Sequence, residues 1–276
     1  MNALTESRVL AQWVMENARV AVQQQDGDIC KLVLESPEIA RRAVPGQFVQ
    51  VHPVPRDRAG ADPLLRRPLS LCEIQPEAGR ISLIYQVVGK GTRLLAAARP
   101  GDVLDLIGPL GHSYPDPRAG RGPLVLVGGG LGIPPLAAAA RWAAPFREVS
   151  ALVGARTAHY LAGAAELAEA GVPVMAITED GSAGERGLVT EPLKRLVEAG
   201  QVGEVWACGP QAMLAAVKEI CLAGGVPCFV SVDKHMACGF GACLGCAIPK
   251  AGAPGYWRSC QEGPVFPAEE VDLRGR

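Results

Sequence analysis

Four cysteines crowd the C-terminal part of the chain, in Cys238-Gly-Phe-Gly-Ala-Cys243-Leu-Gly-Cys246 and at Cys260. The spacing C-x4-C-x2-C with a distant fourth cysteine is the plant-type ferredoxin pattern for an iron–sulfur centre. Four thiolates converging on two irons would make the chain a carrier of single electrons. Such a centre also needs backbone N–H groups turned toward sulfur, which offset its negative charge. Gly239, Gly241 and Gly245 allow the tight turns this demands, and Ala237, Ala242 and Ala247 leave room. Structural zinc is the competing chemistry, but it usually draws on two separated pairs of ligands. Here three cysteines share one loop. The spacing therefore predicts a [2Fe–2S] cluster on Cys238, Cys243, Cys246 and Cys260. The other five, Cys30, Cys72, Cys208, Cys221 and Cys228, lack such spacing and read as small core hydrophobes. Cys208 alone has a second reading, given below.

A second constellation suits a nucleotide. Leu124-Val-Leu-Val127 runs into Gly128-Gly129-Gly130-Leu-Gly132 and then prolines, which reads as strand, glycine turn and helix start. Such a turn lets the backbone approach a pyrophosphate, and the helix N-terminus favours its charge. A proline replaces the third glycine of the usual fingerprint, and glycine turns are also plain structure. The reading gains weight from the redox context. Two more strand ends accompany it, Ile177-Thr-Glu179-Asp-Gly181 and Cys208-Gly209-Pro210. In open α/β sheets ligands sit at such carboxyl ends, although Glu179 and Asp180 also suit a solvated turn.

In the first half, Arg66-Arg67-Pro68-Leu69-Ser70 stands out. An arginine can clamp a phosphate, and a small hydroxyl can hydrogen-bond a flavin edge. Gly91 and Thr92 precede a helix-like run at 93–98, where backbone N–H groups suit a second phosphate. Read alone, these are a basic turn and a loop.

The elements that must hold these residues fall into two patterns. Up to about residue 115, short strands at 19–22, 29–34, 47–52, 69–74, 80–87 and 102–107 alternate with Pro/Gly turns, as in a small antiparallel barrel. From about 121, buried strands at 124–127, 149–153, 172–178 and 204–208 alternate with helices at 135–142, 161–170, 191–199 and 211–223. That pattern predicts a doubly wound α/β domain. Three units are expected: a β-barrel over 8–117, an α/β domain over 118–229, and a cysteine-rich segment over 230–276. The last is too short for its own apolar core, so a metal cluster would stabilise it.

Composition excludes some partners. With 27 basic and 28 acidic residues the net charge is −1, which gives no electrostatic reason to expect nucleic acid or an anionic membrane. The stretch 122–140 carries no charge, but its central glycines and prolines suit strand, turn and helix better than a membrane span. The first twenty residues lack a basic start followed by an apolar run. A thiolate cluster needs a reducing compartment, which predicts a cytoplasmic protein.

Taken in order, these features resemble the ferredoxin-NAD(P) reductase superfamily. Within it the chain is similar, over about residues 10–270, to the electron-transfer subunits of class B dihydroorotate dehydrogenases. The segments that carry the resemblance are Arg67-Pro-Leu-Ser70, Thr178-Glu-Asp-Gly181 with Gly187-Leu-Val-Thr190, Met236 to Cys246, and Cys260-Gln-Glu-Gly-Pro-Val-Phe266. The resemblance implies that Arg67, Pro68, Leu69 and Ser70 hold FAD, with Ile84, Tyr85 and Gln86 along the flavin and Gly91 and Thr92 at its phosphates. It implies an NADH site on Gly128, Gly129, Gly130, Gly132, Glu179, Cys208, Gly209 and Pro210, with Cys208 near the nicotinamide. FAD would trade hydrides with NAD and single electrons with the cluster. A separate FMN-containing catalytic subunit would oxidise dihydroorotate to orotate in pyrimidine biosynthesis, within a heterotetramer of two chains of each kind. Reductase subunits of sulfide dehydrogenase, bifurcating transhydrogenase or hydrogenase complexes are the rival, with the same cofactors. In the bifurcating and sulfide-dehydrogenase relatives an aspartate replaces one cluster cysteine, whereas all four positions here are cysteine. A zinc-binding interaction protein without redox chemistry is the remaining alternative.

Overall fold

Alternating apolar and polar residues build the first sheet. The computed structural model describes residues 12–58 and 62–274, so the start expected at residue 8 lies outside the described residues. Strands β1 (Val14–Asp26) and β2 (Ile29–Glu35) form a hairpin turning at Gly27, whose φ of 57° suits glycine. Then come β3 (Phe48–Val51), β4 (Arg67–Ser70), β5 (Glu73–Gln75), β6 (Arg80–Gln86) and β7 (Val103–Leu110). Their order is β4-β3-β7-β1-β2-β6-β5, with every pairing antiparallel. Leu32, Leu34, Val49, Leu83, Leu104 and Leu106 fill the interior.

The single strand expected at 69–74 is two strands. The chain breaks at Leu71-Cys72, both fully buried, and changes partners from β3 to β6. That step carries it from one edge of the sheet to the other. Because β4 also approaches β6, the sheet curls nearly into a barrel. Two short helices, α1 (Pro37–Arg42) and α2 (Lys90–Ala96), lie in its connections.

The second sheet contains β8 (Leu124–Gly129), β9 (Val149–Ala155), β10 (Val174–Thr178), β11 (Glu185–Arg186), β12 (Glu204–Cys208) and β13 (Cys228–Ser231). The chain then forms a small hairpin, β14 (Ala247–Pro249) with β15 (Tyr256–Arg258), and ends on β16 (Val265–Pro267). The order is β11-β10-β9-β8-β12-β13-β16, parallel except for the last pair. Helices α3 (Pro134–Ala143) and α4 (Ala164–Glu169) cover one face through Leu136, Ala137 and Leu167. Helices α5 (Thr190–Glu198) and α6 (Gln211–Ala223) cover the other through Leu193, Leu214 and Val217. This is the doubly wound arrangement the sequence predicts. Strand β8 lies between β9 and β12, so the order reverses there and opens a crevice at its carboxyl end.

The C-terminal segment does not stand on a cluster alone. Strand β16 extends the second sheet, and Ile248, Phe266, Val271 and Leu273 share one apolar core with Val205 and Val217. The barrel meets the α/β unit through charges: Lys31 Nζ lies 2.7 Å from Glu166, and Arg141 reaches Glu73 at 3.1 Å. Among the described residues no helix is long and apolar enough to cross a membrane; the uncharged stretch is β8, its turn and most of α3.

Candidate functional site

One cleft of about 840 Å³ runs between the two sheets and along the cysteine segment. The barrel supplies Pro68, Leu69 and Ser70 from β4 and Ile84, Tyr85 and Gln86 from β6. Alternation along β6 sorts these side chains. Tyr85 turns into the barrel core, where its hydroxyl accepts a hydrogen bond from Gln23 Nε2 at 3.1 Å. Burial pushes its pKa far up, so it stays neutral. Ile84 and Gln86 take the other face, and Gln86 Nε2 donates to Asp28 at 2.6 Å.

The α/β unit supplies Gly129, Gly130, Gly132, Glu179, Cys208, Gly209 and Pro210. Their glycines answer a packing demand. A Cβ on Gly132 would meet the Cys208 carbonyl oxygen at 2.1 Å, and one on Gly129 would meet Met213 Sδ at 2.6 Å. The β8 turn and the β12 turn are thus pressed backbone to backbone at the switch point. Gly128 lies one layer beneath, against Ile133 and Leu136, and does not line the cleft. Cys208 is buried, and burial pushes its thiol up to about 12, so it presents an uncharged surface.

Arg67, Gly91 and Thr92 lie beside the cleft rather than in its wall. The Arg67 guanidinium sits over Gly91, and Arg67 Nη1 donates to the Leu65 carbonyl. The Thr92 hydroxyl oxygen accepts from the N–H of Val88 at 2.9 Å and of Gly89 at 3.1 Å. It therefore fixes the turn instead of standing free. The bare Cα of Gly91 beneath a guanidinium fits a diphosphate cradle, because any larger residue would expel the arginine.

The four cysteines share one loop and its neighbour. Cys246 and Cys260 are buried with their Sγ atoms 3.3 Å apart, whereas Cys243 is exposed and Cys238 half-buried. Backbone N–H groups aim at sulfur: Gly241 at Cys260 (3.1 Å), and Ala242 and Cys243 at Cys238 (3.3 and 3.4 Å). Positive φ at Gly239, Gly241 and Leu244 bends the loop so that these donors point inward. Backbone hydrogen bonds at Cys238, Gly245 and Ala237 hold the Cys243 thiol down at about 6. Burial, aided by the Cys246 thiol, pushes Cys260 up to about 12. Among the described residues no three His, Cys, Asp or Glu side chains converge on a single-ion site. Sulfurs met by peptide donors suit a cluster that spreads its charge over several sulfurs. The other five cysteines are buried and free, as core residues.

Comparison with known proteins decides the family. Residues 233–272 match the iron-sulfur cluster binding domain of dihydroorotate dehydrogenase B. The chain is 40% identical over 246 residues to the dihydroorotate dehydrogenase B (NAD(+)) electron transfer subunit of Geobacillus thermodenitrificans, covering 88% of this chain and 92% of that one. It is 36% identical over 242 residues to the subunit of the same name from Desulforamulus reducens, covering 86% and 90%. The chain belongs to the family of dihydroorotate dehydrogenase B electron transfer subunits. Among solved structures it resembles a chain of an NADH-dependent reduced ferredoxin-NADP oxidoreductase, with TM-score 0.82 and 30% identity over 94% of this chain and 91% of that one. An Amycolatopsis cytochrome P450 reductase matches with TM-score 0.62 and 30% identity over 78% and 68%. The shared architecture is ferredoxin-reductase-like.

Sequence reasoning left several cleft residues without a settled role. Gly187, Leu188, Val189 and Thr190, singled out without a role, line the cleft after β11. Arg156 also lines it, with its guanidinium 5.2 Å from the Tyr160 ring. Met236 and Ser259 reach it from positions flanking the cysteines. Met236 opens a segment that carries the resemblance, whereas the only sequence signal for Ser259 is its place next to Cys260.

Proposed function

We propose that this chain passes electrons between NAD and the FMN of a separate dihydroorotate-oxidising subunit, by way of FAD and a [2Fe–2S] cluster, in pyrimidine biosynthesis. The observation that carries this reading is the continuity of the cleft. Ser70 and Ile84 from the barrel, Gly130 and Cys208 from the α/β unit, and Met236 and Ser259 beside the cysteines border one space.

Each wall has a task in this reading. Arg67, over Gly91 and the turn fixed by Thr92, receives the FAD diphosphate. Pro68, Leu69, Ser70, Ile84 and Gln86 flank the ring, and Tyr85 supports them from the core. The backbone of Gly129–Gly132, stacked on Cys208-Gly209-Pro210, leaves room for the nicotinamide nucleotide, with Gly128 packing beneath and Glu179 at the end of β10. The neutral Cys208 thiol brings no charge that would oppose hydride movement. Bound FAD supplies the exchange of a hydride with NAD and of single electrons with the cluster. Cys238, Cys243, Cys246 and Cys260 ligate the cluster, and the donors on Gly241, Ala242 and Cys243 stabilise its charge.

The name of its relatives, an electron transfer subunit, supports a separate catalytic partner, and two chains of each kind form the expected assembly. Exposed apolar residues mark the docking face: Trp13 stacks on Phe240 at 5.7 Å, with Met15 and Leu244 also exposed. A thiolate-held cluster needs reducing conditions, which supports a cytoplasmic location. The bifurcating-reductase reading is favoured by one observation, the TM-score of 0.82 to that oxidoreductase. The all-cysteine ligand set speaks against it. Co-purification tests the choice. A partner carrying FMN that oxidises dihydroorotate is expected, and a ferredoxin- or NADP-reducing partner would replace this reading with the rival.

A further inference from the structure

Strand β3 is buried on both faces. Val49 and Val51 point into the barrel core. Phe48, on the opposite face, packs with Ile107, Leu110, Cys246 and Cys260. Gln50 shares that face by alternation, so its side chain leaves the barrel toward the cysteine segment. It is fully buried, and neither Oε1 nor Nε2 has a hydrogen-bond partner. A Cβ on Gly239 would lie 2.7 Å from Gln50 Cγ and 2.9 Å from Nε2. The amide therefore rests on the loop between Cys238 and Cys243. Burying an unpaired amide costs several kcal/mol, and a leucine of similar size would avoid that cost. The amide is explained if something seated in the loop accepts from it.

We propose that the Gln50 side-chain N–H donates a hydrogen bond to a sulfur of the cluster and so raises the cluster's reduction potential. This rests on the cluster ligand set proposed above. Reduction adds a negative charge, and an N–H dipole aimed at sulfur favours the more negative state. The peptide donors of the loop come with the backbone, whatever the side chains. Gln50 is different, because it reaches the cluster from the barrel, in register with Pro68 of the Arg67–Ser70 strand.

The test is the midpoint potential of the purified, iron-replete chain, followed by electron paramagnetic resonance. Gln50→Leu is expected to retain iron and to make reduction tenfold less favourable, a downward shift of about 59 mV for one electron. Gln50→His, which keeps a donor, should recover part of it. An unchanged midpoint in iron-replete Gln50→Leu overturns the inference. Should that variant not fold, chain labelled with ¹⁵N at glutamine side chains provides the second measurement. Gln261, whose Oε1 also lies near the loop at Gly241, is first replaced by Leu. A pulsed-resonance coupling from an amide ¹⁵N to the reduced cluster is expected, and iron-replete protein without it overturns this inference alone. Protein that binds no iron overturns the ligand set as well.

Discussion

Arg67 lies so close over Gly91 that a Cβ built on the glycine would meet Arg67 Nε at 1.9 Å and Cζ at 2.2 Å. The two residues come from different elements, β4 and the start of α2, and only glycine permits the contact. Gly91→Ala should therefore displace the guanidinium while leaving the helix intact, since alanine is the better helix former. Charge-assisted hydrogen bonds contribute about 1.5–3 kcal/mol, which predicts roughly 10- to 100-fold weaker FAD binding. Flavin-to-protein ratios after gel filtration check it, and full flavin retention would remove Arg67 from the cradle.

The turn at the switch point is expected to respond differently. Gly132 abuts the Cys208 carbonyl, so Gly132→Ala forces the β8 and β12 turns apart, at an overpacking cost of about 1–3 kcal/mol. The effect should fall on NADH rather than flavin: a KM raised roughly tenfold, with unchanged FAD content. Steady-state NADH oxidation with an artificial acceptor reads both quantities.

Much of this was legible in the sequence because the signals are local. The cysteine spacing, the glycine turn after Leu124-Val-Leu-Val127 and the boundaries of α6 depend on neighbours along the chain. What escaped depends on distant ones. Strand β16 exists because β13 offers a free edge. The break at Leu71-Cys72 exists because β3 and β6 lie on opposite sides of the sheet. Gln50 looked like one polar residue in a strand until the face it points to was known. Thr92 adds a local task to its expected place at a phosphate, since its hydroxyl oxygen accepts from the Val88 and Gly89 N–H groups of its own turn.

The cysteine assignment separates cleanly by mutation. Serine at Cys238, Cys243, Cys246 or Cys260 is expected to cost most of the bound iron, because serine oxygen is a harder ligand than thiolate. Alanine at the buried core residues Cys221 or Cys228 should leave iron intact, with only a modest loss of stability. Iron analysis of the six variants decides the set, and iron lost from either control would redraw it.

Lys31 links the barrel to Glu166 of the α/β unit at 2.7 Å and lies 3.6 Å from Glu73 of its own sheet. Burial pulls its ammonium pKa down, but the hydrogen bond and charge of Glu166, with Glu73, more than offset this, and the net shift is upward. A base raised on folding stabilises the fold below its unfolded pKa and loses that contribution as pH climbs through the folded value. The link is thus intact at neutral pH and fades only in alkali, above about pH 10. Lys31→Met should lower the melting temperature at pH 7, and the difference from the unsubstituted protein should shrink in strong alkali. An equal difference at both ends would mean that Lys31 contributes packing alone.

Trp13 and Phe240 place two stacked aromatic rings on the surface beside the exposed Cys243. Exposed aromatic pairs of this kind cost solubility unless a partner covers them, and buried aromatic anchors carry much of the energy of protein interfaces. Phe240→Asp puts a charge at that point without touching a proposed ligand. The variant should keep its flavin and its NADH oxidation with an artificial acceptor. It should elute free of the catalytic subunit and no longer couple dihydroorotate to NAD. Truncating a central anchor typically costs at least 2 kcal/mol, roughly a thirtyfold loss of affinity. Size-exclusion chromatography of the mixed subunits reads the assembly. An intact complex with Phe240→Asp would move the docking face away from the cysteine loop, and would leave the exposed stack without a purpose in electron transfer.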